Sequence, residues 1–119
     1  MRPLFLFTLI ATLLGVATGD VRAHATLDHA EPRVGNAVAT APREVTLWFT
    51  EKLEPAFSKI TVTNEAGARV DNGKTRVNGS QMSVSLRSGS GAGTYRVNWR
   101  VLSVDTHTTE GSFTFQVGQ

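Results

Sequence analysis

Asp105 and His107 stand two residues apart in "DTHTTEG", 105–111, a polar segment between two strongly apolar stretches. In an extended chain that spacing turns both side chains to one face, so that a carboxylate and an imidazole can meet one divalent ion. In a tight turn the same residues have another use, with Asp105 accepting bonds from backbone amides and His107 merely exposed. The other histidines, His24 and His29, lie near the start of the chain.

What His24 can do depends on where the mature chain begins. Arg2 followed by the apolar run "LFLFTLIATLLGV", 4–16, has the form of a secretory signal, and the run is too short to span a bilayer. Small residues then offer two cleavage points in "VRAHATLDH", 21–29, after Ala23 or after Ala25. The first cut makes His24 the N-terminal residue, with an α-amine and a ring Nδ1 that chelate one metal together. With a ring nitrogen of His107 and an oxygen of Asp105, the set becomes three nitrogens and one oxygen in a plane. Cu(II) prefers that tetragonal arrangement, whereas zinc prefers a tetrahedron. The second cut removes His24 and the chelate with it. His29 reads as an exposed histidine near a strand end.

The rest of the composition narrows the chemistry. Cysteine is absent, which excludes thiolate sites, Cys nucleophiles and disulfides. The only methionines are Met1 and Met82, and Met82 sits on an apolar strand face, so no thioether site for Cu(I) can be assembled. Removing residues 1–23 leaves ten basic and nine acidic residues, a near-neutral domain with no basic stripe for nucleic acid. No serine stands in a nucleophile-elbow sequence, and Asp-x-His lacks the third partner of a hydrolytic triad.

The elements that must position these residues are strands. Apolar residues recur with period two in "EVTLWFT", "SKITVT", "QMSVSL" and "SFTFQV", and turn-forming Gly, Asn and Ser separate the runs. The longest, "TYRVNWRVLSV", 94–104, sets Tyr95, Val97, Trp99 and Val101 on one parity. Leu102 and Val104 are apolar on the opposite parity, which predicts a bulge or sharp bend near Val101 to Ser103. Trp99 is expected in the core, and Trp48, facing away from Val45, Leu47 and Phe49, is expected to pack on the second face. The fold class is all-β: a Greek-key, immunoglobulin-like β-sandwich of about seven antiparallel strands over residues 24–119.

Several segments in order resemble the CopC copper-resistance family. These are "HATL" at 24–27, "EPRVG" at 31–35, "APREVTLWFTEKLEPAFSKITVTNEAG" at 41–67 and "GTYRVNWRVLSVDTHTTEGSFTFQV" at 93–117. The family loop often carries Gly and Pro where this chain has Thr106 and Thr108. The resemblance implies a periplasmic monomer that binds one Cu(II) through His24, Asp105 and His107 and passes it to an inner-membrane transporter of the CopD type. It implies copper binding and delivery rather than catalysis. The alternatives are a small copper-dependent oxidase built on an N-terminal histidine chelate, and a metal-free immunoglobulin-like adhesion or assembly module.

Overall fold

Alternating side chains oblige each strand to bury one face, and with helices absent from the pattern the faces can only be buried against one another. The computed structural model describes residues 25–118. The proposed signal segment 1–23 and His24 lie outside the described residues.

The described residues form eight strands: β1 (Leu27–Glu31), β2 (Ala37–Val38), β3 (Glu44–Phe49), β4 (Lys59–Thr63), β5 (Arg76–Asn78), β6 (Gln81–Ser85), β7 (Gly93–Leu102) and β8 (Thr108–Val117). They make two four-stranded sheets, ordered β1-β3-β6-β5 and β2-β8-β7-β4. The chain passes between the sheets at every connection from β1 to β5, that from β3 to β4 running through a 3-10 turn at Pro55–Phe57, and once more from β6 to β7. The expected β-sandwich is therefore present, with one addition: the two-residue β2 runs parallel to β8, pairing Ala37 with Gln116. So short a strand carries too little apolar pattern to be read from sequence.

Period-two reading places the core correctly. Val45, Leu47 and Phe49 face Ile60, Val62, Tyr95, Val97, Phe113 and Phe115 across the sandwich, all buried. Tyr95 and Phe115, register partners on β7 and β8, stack with ring centroids 5.3 Å apart. Trp48 is half-buried on the outer face of its sheet, where its indole lies on the His29 ring at 4.4 Å and 6°.

Two expectations on β7 need correction. Trp99 has core parity but is only half-buried. Its indole meets Phe49 edge-on at 5.1 Å and covers Gly111, where a Cβ would lie 2.6 Å from the ring. Glycine at 111 is what lets a tryptophan fit opposite it. Nor is there a bulge near Val101 to Ser103: the β7–β8 register runs without a shift from Gly93↔Val117 to Leu102↔Thr108. Ser103 keeps the inward parity and is fully buried, while Leu102 is half-buried and Val104 is exposed. Leu102 thus ends the ladder on its outer side, and the chain bends sharply from Val104, so of the two expected irregularities it is the bend that is present.

One buried charge braces the sandwich beside β4. The Asp71 side chain is inaccessible to solvent, and Arg69 reaches it with two bonds of 2.8 Å from Nε and Nη2. The amides of Val62 at 2.8 Å and Gly73 at 2.9 Å donate to it as well. Burial alone would raise the carboxyl pKa, but the guanidinium and the two amides outweigh it and hold the group at about 2. The folded value lies below the ordinary carboxylate value, so the stabilisation is complete above about pH 4 and is lost as pH falls toward 2. Asp71→Asn should therefore cost about 3 kcal/mol at pH 7 and remove about 2 kcal/mol of the acid-dependent loss between pH 4 and 2. Urea unfolding across that pH range checks both effects, and a variant with unchanged stability and pH dependence would contradict them.

Candidate metal centre

The longest hairpin of the fold positions the Asp-x-His segment. β7 and β8 pair over their whole length and hold the connection, residues 103–107, at one end of the sandwich. The amide of Ser103 donates to the His107 carbonyl at 2.9 Å, and that of Thr106 donates to the Ser103 carbonyl at 2.8 Å. Thr106 takes the left-handed backbone conformation, with φ 73°, and its hydroxyl donates to the Asp105 carbonyl. A β-branched residue is strained there, whereas glycine occupies the region at little cost.

The turn brings the two side chains together. Oδ1 of Asp105 and Nδ1 of His107 are 3.2 Å apart, with the side chains 34% and 49% exposed, so the pair opens to solvent. Sequence reasoning set an extended ligand arm against a turn with an idle histidine. The segment is a turn, and the reversal at Thr106, not strand alternation, makes the side chains converge.

Ser103 supports the pair from inside. Its buried hydroxyl donates to Oδ1 of Asp105 and accepts from the His107 amide at 3.4 Å. The Ser103 bond is the main cause holding the Asp105 carboxyl below the ordinary carboxylate value; burial opposes it, and the His107 ring and amide reinforce it. With metal–donor lengths of about 2.0–2.2 Å for imidazole and carboxylate, neighbouring donors around one ion lie about 3 Å apart. The observed separation of 3.2 Å fits that requirement.

The start of the described chain is fastened beside this loop. Ala25 is fully buried, and its carbonyl accepts a bond of 2.7 Å from the Thr109 hydroxyl, two residues past His107. Thr26 is fixed in turn by exchange with Thr50, its amide donating to the Thr50 hydroxyl and its carbonyl accepting from the Thr50 amide, each at 2.9 Å.

His29 is engaged elsewhere. It stacks on Trp48, and its Nδ1 lies 2.7 Å from Oδ2 of Asp28. Among the described residues no three His, Cys, Asp or Glu side chains converge, so His29 does not join Asp105 and His107. Sequence reasoning missed Ser103 and Thr109. Ser103 had a legible signal, a polar residue on the inward parity of β7, whereas Thr109 had none.

Comparison with known proteins places this geometry in a wider group. The CopC domain matches residues 27–118. Protein YobA of Escherichia coli K12 is 36% identical over 117 residues, covering 93% of this chain and 92% of the relative. Copper resistance protein C of Xanthomonas campestris pv. juglandis is 35% identical over 118 residues, with 92% of each chain covered. Among solved structures, PcoC of E. coli, described as a methionine-rich copper resistance protein, superposes with a TM-score of 0.70 at 35% identity. That match covers 80% of this chain and 99% of PcoC.

The left-handed Thr106 generates a direct test of the loop geometry. Thr106→Gly should raise the unfolding free energy by about 0.5–1 kcal/mol, because the relieved steric cost exceeds the added chain entropy of glycine. Denaturant unfolding of the metal-free protein measures this, and a clear loss of stability would contradict the assigned conformation.

Proposed function

The chain belongs to the CopC family, and from that premise we propose that it is a periplasmic protein that binds one Cu(II), buffers it and delivers it to a partner. In this reading residues 1–23 are removed on export, and His24 supplies its α-amine and ring nitrogen. Asp105 and His107 complete the site. The receiving partner is an inner-membrane copper transporter of the CopD type, and the carrier acts as a monomer.

The observation that carries the reading is the Thr109–Ala25 bond. It ties the backbone at Ala25 to Thr109, two residues past His107, and so supports a reading in which the residue before Ala25 shares an ion with the convergent Asp105 and His107. These two side chains supply half of a tetragonal donor set, and the amine and imidazole of a terminal histidine supply the rest.

Donor softness supports the oxidised ion. PcoC is described as methionine-rich, whereas this chain has only Met1, in the segment proposed to be removed, and Met82, which is 1% exposed in the core. No thioether is presented at the surface of the described residues. Binding rather than turnover follows from the donor set, because Asp105 fills the fourth position of the plane that an oxidase would keep open for oxygen.

Copper competition titrations against a chromophoric chelator test the proposal. His107→Ala and Asp105→Ala should each weaken Cu(II) binding by at least about tenfold, comparable with the loss of an outer-shell partner. Because protons compete for the coordinating nitrogens, affinity should fall steadily as pH is lowered from 8 to 5. An affinity that is flat over that range, or indifferent to both substitutions, would contradict the site.

A further inference from the structure

Asp105 sits in a solvent-facing turn, where a free carboxylate samples several rotamers that metal binding would have to freeze. It is not free. The Ser103 hydroxyl, on a residue with no solvent-accessible surface, donates to Oδ1 of Asp105. The same oxygen lies 3.2 Å from His107 Nδ1 and accepts a longer bond, 3.4 Å, from the His107 amide. The Ser103 oxygen also accepts from the His107 amide at 3.4 Å, and its own amide donates to the His107 carbonyl at 2.9 Å. Ser103 is held in turn by its bridge to Leu53 in the opposing chain segment. The Ser103 hydroxyl makes the shortest bond to the carboxylate, in preference to the His107 carbonyl at 3.2 Å, and its backbone holds the histidine, with the His107 amide a longer second tie on Asp105.

We infer that Ser103 is a positioning residue of the copper site: its buried hydroxyl holds the Asp105 carboxylate in the orientation that shares an ion with His107. This inference rests on the proposed Cu(II) reading and adds a residue to it. Ser103 does not touch the ion. It acts by removing rotational freedom from Asp105 before binding, the role of groups that orient metal ligands from behind.

A merely structural serine, one that satisfies the turn, gives a different energetic signature. If Ser103 acts through Asp105, Ser103→Ala weakens Cu(II) binding by about 10- to 100-fold in the wild-type background and has no further effect once Asp105→Ala is present. If it only shapes the turn, the loss is the same in both backgrounds, and that result overturns the inference. An unchanged affinity in the wild-type background overturns it as well. Circular dichroism melting of each metal-free variant establishes that the sandwich is folded. Should the alanine variant not fold, Ser103→Thr carries the test. The retained hydroxyl should keep affinity within about threefold, and a tenfold loss in a folded threonine variant overturns the proposal. The two readings fail separately. Indifference of copper binding to Asp105→Ala strikes at the Cu(II) site itself, whereas sensitivity to Asp105 without sensitivity to Ser103 strikes only at the role of Ser103.

Discussion

A single hydrogen bond, from the Thr109 hydroxyl to the Ala25 carbonyl, joins residues 84 apart and fastens the start of the described chain to the β7–β8 hairpin. An irregular segment outside the strand ladders stays mobile unless tied down. Here the burial of Ala25 and the exchange between Thr26 and Thr50 do the tying. The consequence is geometric. Ala25 and the loop about eighty residues later become neighbours, so that in the proposed reading coordination from both segments would be intramolecular and would need little further ordering.

The rest of the fold serves that neighbourhood. The ten residue pairs of β7 and β8 give the loop a rigid base, and the stacked Tyr95 and Phe115 anchor the two strands in the core. The domain has no cysteine, so it gains no stability from cross-links and relies on packing and on braces such as the buried Asp71–Arg69 pair. A bound ion would add to this by mass action, by about 4 kcal/mol when free metal exceeds the dissociation constant a thousandfold. That is a large increment for so small a domain.

The fold was legible because period-two patterning is a property of single strands, and it placed Val45, Leu47, Ile60, Val97 and Phe115 in the core. It failed where a side chain's surroundings depend on another strand. Trp99 is half-buried because it sits at the margin of the core, edge-on to Phe49 of the other sheet and over Gly111. Leu102 and Val104 suggested a bulge or a bend; the ladder runs to Leu102 without a bulge and the chain bends at Val104. At the site, Asp105 and His107 were legible by residue type and spacing, but their convergence comes from the left-handed backbone at Thr106, which the sequence does not announce. The supporting residues are harder still to read. Ser103 shows only as a polar residue at an inward position, and Thr109 acts on a residue remote in sequence.

The central claim is that the terminal amine and the hairpin loop share one ion. The most direct measurement is the electron paramagnetic resonance spectrum of the exported protein with one equivalent of Cu(II), its N-terminus established by intact mass, compared with the same protein acetylated at the α-amine. The account predicts a chain beginning at His24 and a single tetragonal signal with nitrogen couplings, from which acetylation removes one nitrogen and shifts the parameters. A chain beginning at Thr26, or a spectrum that acetylation leaves unchanged, would contradict it.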